Sequence, residues 1–310
     1  MNPNKDFPKQ KWIVAVRPLV NIVFSLLLVA SSFAGMHVAQ AQAVQATALP
    51  PLNVIAAAAP PPASQVNLIG QLGGILKGAA IAGNYAFLAE GARLTILDIS
   101  NPAVPVVVGK TAPFAELIQG ISISPDGNHA YLAVGNLGLR VVDTVTKTSP
   151  VEVGYYAWGA SANSISVVSG DYVIATDTSN TKFWVISVHT PASPFLAGST
   201  ASMTGLPKKV VVNGDTAYVV TASNLLLQYN IGGGNITSPL LSGTVNLATL
   251  TNPLTAPSDV AVDASGSSAF AYVVGTEGLR RINLSSGVQV ATYAPPGLTM
   301  VGVWQPVPRC

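Results

Sequence analysis

The sequence predicts an all-β fold, a β-propeller of four-stranded antiparallel blades, and three observations lead there. Two separate landmarks recur along the chain with one period of roughly 44 residues. Each period divides into four short apolar strands separated by turn residues. No stretch after the N-terminal segment keeps a helical hydrophobic period.

The first landmark is a Pro followed four residues later by Gly. It occurs at Pro105 and Gly109, Pro150 and Gly154, Pro194 and Gly198, and Pro239 and Gly243. The second is a Gly-polar turn entering an apolar strand, at Gly83-Asn84, Gly127-Asn128, Gly170-Asp171 and Gly214-Asp215. A sandwich would also supply many short strands, but nothing in it holds a constant period, whereas stacked blades must. A fifth, looser copy runs through Phe270-Ala271-Tyr272-Val273 and Leu279-Arg280-Arg281-Ile282.

The second copy shows how the strands are read. Gly120-Ile121-Ser122-Ile123-Ser124 alternates apolar and small polar residues, as a half-buried strand does. Pro125-Asp126-Gly127-Asn128 is a hairpin turn, with Gly where positive φ is needed. Ala130–Val134 and Leu139–Asp143 follow as strands two and three. The fourth strand begins at Pro150, a residue without an amide donor that suits an edge. A fourth-type strand at Val66–Leu72 precedes the first copy, and Met300–Trp304 reads as the start of a further unit. About five repeats are therefore visible, in a ring of five to seven blades.

Residues 1–43 read as a secretory signal peptide. Lys5, Lys9, Lys11 and Arg17 precede an apolar run around Ile22–Ala30, and two overlapping small-residue cleavage sites follow, Ala39-Gln40-Ala41 and Ala41-Gln42-Ala43. The Ala/Pro-rich residues 44–65 read as an extended spacer, and residues 66–310 as the propeller. The expected location is thus periplasm, cell surface or exterior. Membrane contact is expected only through the N-terminal segment, were it to stay uncleaved.

Charge excludes one class of partner. The chain has 15 Lys and Arg against 13 Asp and Glu. Four of those bases and one acid lie before residue 44, so the remainder has a net charge of −1. No basic patch is left for nucleic acid. Charged residues make up 9% of the chain, so Ser, Thr and Asn must supply much of the solvated surface. The lone Cys310 allows no internal disulfide.

The third strand and following turn of the first copy read Leu94-Thr95-Ile96-Leu97-Asp98-Ile99-Ser100-Asn101-Pro102-Ala103-Val104-Pro105. This resembles the LVIVD repeat, a family of bacterial and archaeal surface proteins with a β-propeller fold and mostly unassigned function. The second copy keeps Asp143 and Ser149-Pro150. The third keeps Thr190-Pro191-Ala192-Ser193-Pro194 but places Ser187 at the Asp position. The fourth and fifth have Asn230 and Asn283 there, and the fifth lacks both Pro and Gly landmarks.

Candidate chemistry is sparse. The recurring position Asp98, Asp143, Ser187, Asn230, Asn283 could hold a cation, but exchange among Asp, Ser and Asn suits turn closure better than charge-dependent ligation. Asp126-Gly127-Asn128 and Asp263-Ala264-Ser265-Gly266 read as hairpins rather than calcium loops. His129 and His189 lie beside turns, with no nucleophile or carboxylate placed near them by a motif. No catalytic, metal or cofactor-binding motif stands out. Tyr156 and Trp158, in the connection leaving the second copy, are the best candidates for a ligand-contacting surface, while Trp184 reads as core. The expectation is a non-catalytic module that binds a protein or polysaccharide of the cell envelope. The alternative is a hydrolase or lyase that gathers Asp98, Asp143, Asp177 and His189 at the channel mouth.

Overall fold

The computed structural model describes residues 75–264 and 268–293. Their strands form five separate four-stranded antiparallel sheets, each taking its strands in chain order from one edge to the other. Blade 1 is β1 (Leu76–Ala82), β2 (Tyr85–Glu90), β3 (Arg93–Asp98) and β4 (Val106–Lys110). Blade 2 is β5 (Gly120–Ile123), β6 (His129–Ala133), β7 (Leu139–Asp143) and β8 (Val151–Tyr156). Blade 3 is β9 (Ala162–Ser169), β10 (Tyr172–Asp177), β11 (Phe183–Ser187) and β12 (Phe195–Ser199). Blade 4 is β13 (Pro207–Asn213), β14 (Thr216–Thr221), β15 (Leu225–Asn230) and β16 (Leu240–Asn246). Blade 5 is β17 (Pro257–Asp263), β18 (Phe270–Gly275), β19 (Gly278–Asn283) and β20 (Gln289–Tyr293). The arrangement is a β-propeller. Among the described residues no helix is long and apolar enough to cross a membrane.

The first strand of each blade lies innermost, because β1, β5, β9, β13 and β17 neighbour one another in succession. Serine hydroxyls tie these strands across blades. Ser122 Oγ accepts the amide of Val167 at 3.0 Å, Ser164 Oγ that of Val210 at 3.2 Å, and Ser166 Oγ that of Val212 at 3.0 Å. The small polar residues that alternate with apolar ones therefore serve as links between blades.

Second strands carry near-continuous apolar runs for a different reason. In blades 3 and 4 they are covered on both faces by neighbouring blades, so β10 and β14 are buried at every position after the first. Blade-to-blade packing then builds the core. Phe87, Leu94 and Ile96 of blade 1 meet Ile118 of the connection and Leu132 and Val142 of blade 2. Similar clusters join blades 2 and 3, 3 and 4, and 4 and 5. Each buried Leu, Ile or Phe of this kind contributes roughly 1.5–3 kcal/mol relative to exposure.

The Pro-x4-Gly landmark also has a packing cause. A Cβ added to Gly109 would overlap the carbonyl oxygen of Lys147, and one on Gly154 that of Pro191. At Gly198 the overlap is with the Thr237 carbonyl. In each case the turn between strands three and four of the next blade lies directly on the glycine. The fifth copy has Ala291 at this register position, opposite Arg281.

One regularity escapes the sequence reading. Every outermost strand skips one residue in its pairing with the third strand: Val108, Val153, Ala197, Ser242 and Val290. Such a bulge twists an exposed edge and makes it a poor template for another strand. The device is apt, since those edges expose Val106, Val151, Phe195, Leu240 and Leu241.

The expected signal peptide, the spacer and the strands at Val66–Leu72 and Met300–Trp304 lie outside the described residues. So do Ser265 and Gly266 of the fifth-blade hairpin and Cys310.

Candidate functional site

Antiparallel pairing sorts the candidate residues onto two ends of the blades. The turns between strands one and two, and between strands three and four, share one end. The opposite end carries the turns between strands two and three together with the connections between blades.

At the first end, the recurring polar position closes turns. Asp98 accepts the amide of Ser100 at 2.8 Å, Asp143 that of Val145 at 2.8 Å, Asn230 that of Gly232 at 2.9 Å and Asn283 that of Ser285 at 3.0 Å. Bonds from the Ser100 side chain and amide hold the Asp98 carboxyl below its ordinary value. Ser187, which is buried, departs from this pattern. The turn after it carries a backbone bond instead, from the Ser193 amide to the Thr190 carbonyl at 2.9 Å. The Asp126 loop is likewise a turn: Asp126 Oδ1 accepts Ser124 Oγ at 2.5 Å and the Asn128 amide at 3.0 Å.

His189 has a carboxylate partner that the sequence reading missed. Its Nδ1 lies 2.8 Å from Oδ1 of Asp171, with side chains 76% and 57% exposed. The signal was in the register: Tyr172 pairs with Ser187, so the residues just beyond each strand end are brought together. At that exposure water screens the pair, and it is a surface contact.

The second end holds Tyr156 and Trp158. Their rings stack, with centroids 6.4 Å apart and planes 24° from parallel. Tyr156 is the last residue of β8, not part of the connection as expected, and Trp158 lies in the connection to blade 3; both pack against the cluster between those blades. The turn beneath them requires Gly138, at φ 74°, where a Cβ would overlap the Tyr156 carbonyl and lie 3.3 Å from the Trp158 ring.

The indole of Trp158 donates to Oδ2 of Asp177 at 3.1 Å, and the indole of Trp184 donates to the same oxygen at 2.7 Å. Oδ1 accepts the amides of Ser179 at 2.8 Å and Asn180 at 2.7 Å, and the Asn180 side chain reaches both oxygens. Asp177 is fully buried. Burial works against its charge, and the bonds from the Trp184 indole and the two loop amides outweigh it, so the carboxyl titrates below the ordinary range. With both oxygens occupied, Asp177 is a brace rather than a base. Trp184 is half-buried, with Lys182 Nζ 4.3 Å from its ring centroid. The expectation that it packs in the core therefore holds for one part of the ring, while its N–H serves the brace.

Comparable ties recur at this end in other blades. Glu116, in the connection entering blade 2, accepts the Asn136 amide at 2.8 Å and its side chain at 2.9 Å. Thr255, entering blade 5, donates its hydroxyl to Glu277. Each links a connection to the turn between strands two and three, fixing the loops that form this surface.

The four residues of the alternative catalytic set are thus each engaged in a local contact, and Asp98 and Asp143 lie at the opposite blade end from Asp177. No group of three or more His, Cys, Asp and Glu that could hold a metal occurs among the described residues.

The five four-stranded blades define a β-propeller. The family model described as "LVIVD repeat" matches residues 73–112 and 119–157, which span blades 1 and 2, so the chain carries LVIVD repeats. Among solved structures it is similar to the beta-propeller domain of Myceliophteria thermophila Cps50 (Swd1). That likeness has a TM-score of 0.58 and 15% identity, and covers 73% of this chain and 76% of that one. At this identity it shows the fold alone. No curated protein matches the sequence significantly.

Proposed function

We propose that this protein is an exported, non-catalytic binding module whose connection-side surface, centred on Tyr156 and Trp158, contacts a protein or polysaccharide of the cell envelope. The observation that carries this reading is the brace at Asp177. It fixes two indoles from different elements by hydrogen bonds that leave no carboxylate oxygen for proton transfer. Aromatic rings held rigidly lose little conformational entropy on binding, which favours recognition. Export rests on the basic, apolar and small-residue parts of residues 1–43. The hydrolase or lyase alternative loses its support because Asp98, Asp143, Asp177 and His189 are each engaged locally.

The test is affinity electrophoresis through purified envelope polysaccharides, alongside a pull-down from solubilised envelope protein. The protein is compared with a Tyr156→Ala/Trp158→Ala variant shown to unfold cooperatively. Saturable retention that the variant loses by at least about tenfold is expected. Absence of saturable binding in both arms, or equal binding by the variant, would overturn the proposal.

A further inference from the structure

Blade 4 departs from the other blades at one position of its third strand. Pairing with the second strand aligns Leu227 with Thr95, Arg140, Trp184 and Arg280. Each of those four side chains reaches a partner. Thr95 donates to Glu90, Arg140 reaches Glu152 at 2.8 Å, and the Trp184 indole donates to Asp177. Arg280, 4% exposed, donates from Nε to the Asn252 carbonyl at 2.7 Å and from Nη2 to the Pro253 carbonyl at 3.1 Å. It thereby fills the space between its own strand and the connection entering blade 5.

Leu227 is too short for such a bridge. Counted back from Pro207 and Pro257, which open the innermost strands of blades 4 and 5, Ser202 and Met203 stand where blade 5 has Asn252 and Pro253. Between this connection and Leu227 lies a cavity of about 350 Å³. That volume falls at the lower end of the roughly 300–1,000 Å³ found for small-molecule sites. Leu225, Leu227 and Tyr229 form one wall, with Leu241 of β16 and Met203 of the connection beside them. The β15 wall runs for about 13 Å at the usual rise of a strand, so it suits an extended chain. No Asp, Glu, Lys, Arg or His lines the cavity, and a charged ligand group would be desolvated there without a counter-charge.

Tyr229 supplies the polar contact. It is 5% exposed, and its ring meets that of Phe183 edge-on with centroids 5.2 Å apart. Its phenol hydroxyl makes no hydrogen bond among the described residues, and burial alone pushes its ionisation up. The other blades place Leu97, Val142, Ile186 and Ile282 at this position, so packing there does not require a hydroxyl. A buried hydroxyl without a partner is costly, and an oxygen on a ligand removes that cost. Water could do the same for the phenol but would leave the leucines wet. We propose that this cavity of blade 4 binds a neutral, medium-chain aliphatic molecule whose single oxygen function bonds the Tyr229 phenol while its chain lies along Leu225 and Leu227.

The test uses the full chain and 1-octanol, followed by methyl NMR. Met203, Leu225 and Leu227 are expected to shift saturably, with a Kd of about 1 mM or tighter. Octanoate should bind at least about tenfold more weakly, because the lining offers no cation. Leu227→Arg restores the long side chain of blades 2 and 5 and should weaken octanol binding at least about tenfold by filling the site. Tyr229→Phe keeps the ring and should weaken it about three- to tenfold. The Tyr156→Ala/Trp158→Ala variant should bind octanol as the unaltered protein does, which separates this site from the surface proposed above.

Unshifted Met203, Leu225 and Leu227 methyls would overturn the proposal, as would shifts that grow without saturation over exposed outer-strand residues such as Val106 and Val151. Unchanged binding by Leu227→Arg, or loss of binding in the Tyr156→Ala/Trp158→Ala variant, would place octanol elsewhere. Should Leu227→Arg not fold, Tyr229→Phe decides, and equal affinities for octanol in that variant and the unaltered protein would remove the phenol from the site.

Discussion

Gly154 of blade 2 lies beneath Pro191 of blade 3, so closely that a β-carbon on the glycine would overlap the proline carbonyl. The landmark that reveals the repeat in the sequence is thus a junction between consecutive blades. At Gly109, Gly154 and Gly198 it places the turn before the next blade's fourth strand against the outer edge of the preceding blade, while at Gly243 the nearest atoms are those of Gln228 in the same blade. Because the obstructing atoms at the first three are backbone, side-chain rotation cannot relieve the contact.

Gly154→Ala should therefore destabilise the propeller by about 2–4 kcal/mol, in the range of severe overpacking. Ala291→Gly in blade 5 should cost only about 1 kcal/mol or less, the ordinary backbone cost of glycine in a strand. Urea denaturation of both variants checks the contrast. Equal destabilisation would remove the packing explanation for the landmark.

The Asp177 brace predicts an acid response. Its folded carboxyl titrates below the ordinary value because the Trp184 indole and the loop amides outweigh the effect of burial. A depressed carboxylate contributes stability that is present above the unfolded value near 3.8 and is lost as pH falls through the folded one. Tryptophan fluorescence should hold steady down to about pH 4 and change below it as the indoles lose their acceptor. Asp177→Asn should weaken this acid transition and cost about 1–3 kcal/mol at neutral pH, since charge-assisted bonds are replaced and one amide donor faces other donors. An unchanged acid transition in that variant would assign the effect elsewhere.

The blades were legible because a propeller repeats its physics every unit: Gly-polar turns, apolar second strands and the Pro-x4-Gly junction recur at matching places. Turn closure by Asp98, Asp143, Asn230 and Asn283 was legible for the same reason, since each contact spans only two residues. The brace was not. Asp177 meets Trp158 across 19 residues and a blade boundary, and no other copy repeats that pair of residue types. The Asp171 and His189 contact also depends on register, as does the skipped residue in each outer strand, where a Val, Ala or Ser gives no compositional sign of a bulge.

Turn closure at Asp143 separates itself from metal binding by substitution. Asp143→Asn keeps an acceptor for the Val145 amide and should change stability by no more than about 0.5 kcal/mol. Asp143→Ala removes it and should cost about 0.5–1.5 kcal/mol. Thermal unfolding of the three proteins with and without calcium measures both points. A calcium-dependent rise in Tm that Asp143→Asn abolishes would restore the cation reading of the recurring position.

Tyr131 provides the alkaline counterpart. Its ring is buried between blades 2 and 3, and its phenol is pushed up to about 12. Burial is the main cause, and the negative charges of Asp126 and Asp171 add to it. The unfolded phenol ionises near 10, so the folded state holds this proton more tightly than the unfolded chain. Stability from the neutral phenol is complete below pH 10 and declines between 10 and about 12. Absorbance titration of the phenols should show a late-ionising component together with loss of structure; burial also raises Tyr218 and Tyr229, so Tyr131→Phe should reduce that component rather than remove it. Because the ring packs without relying on ionisation, Tyr131→Phe should also extend folding to higher pH. Alkaline unfolding that begins at the same pH in both proteins would show that the blade 2 to blade 3 junction does not depend on keeping this phenol neutral.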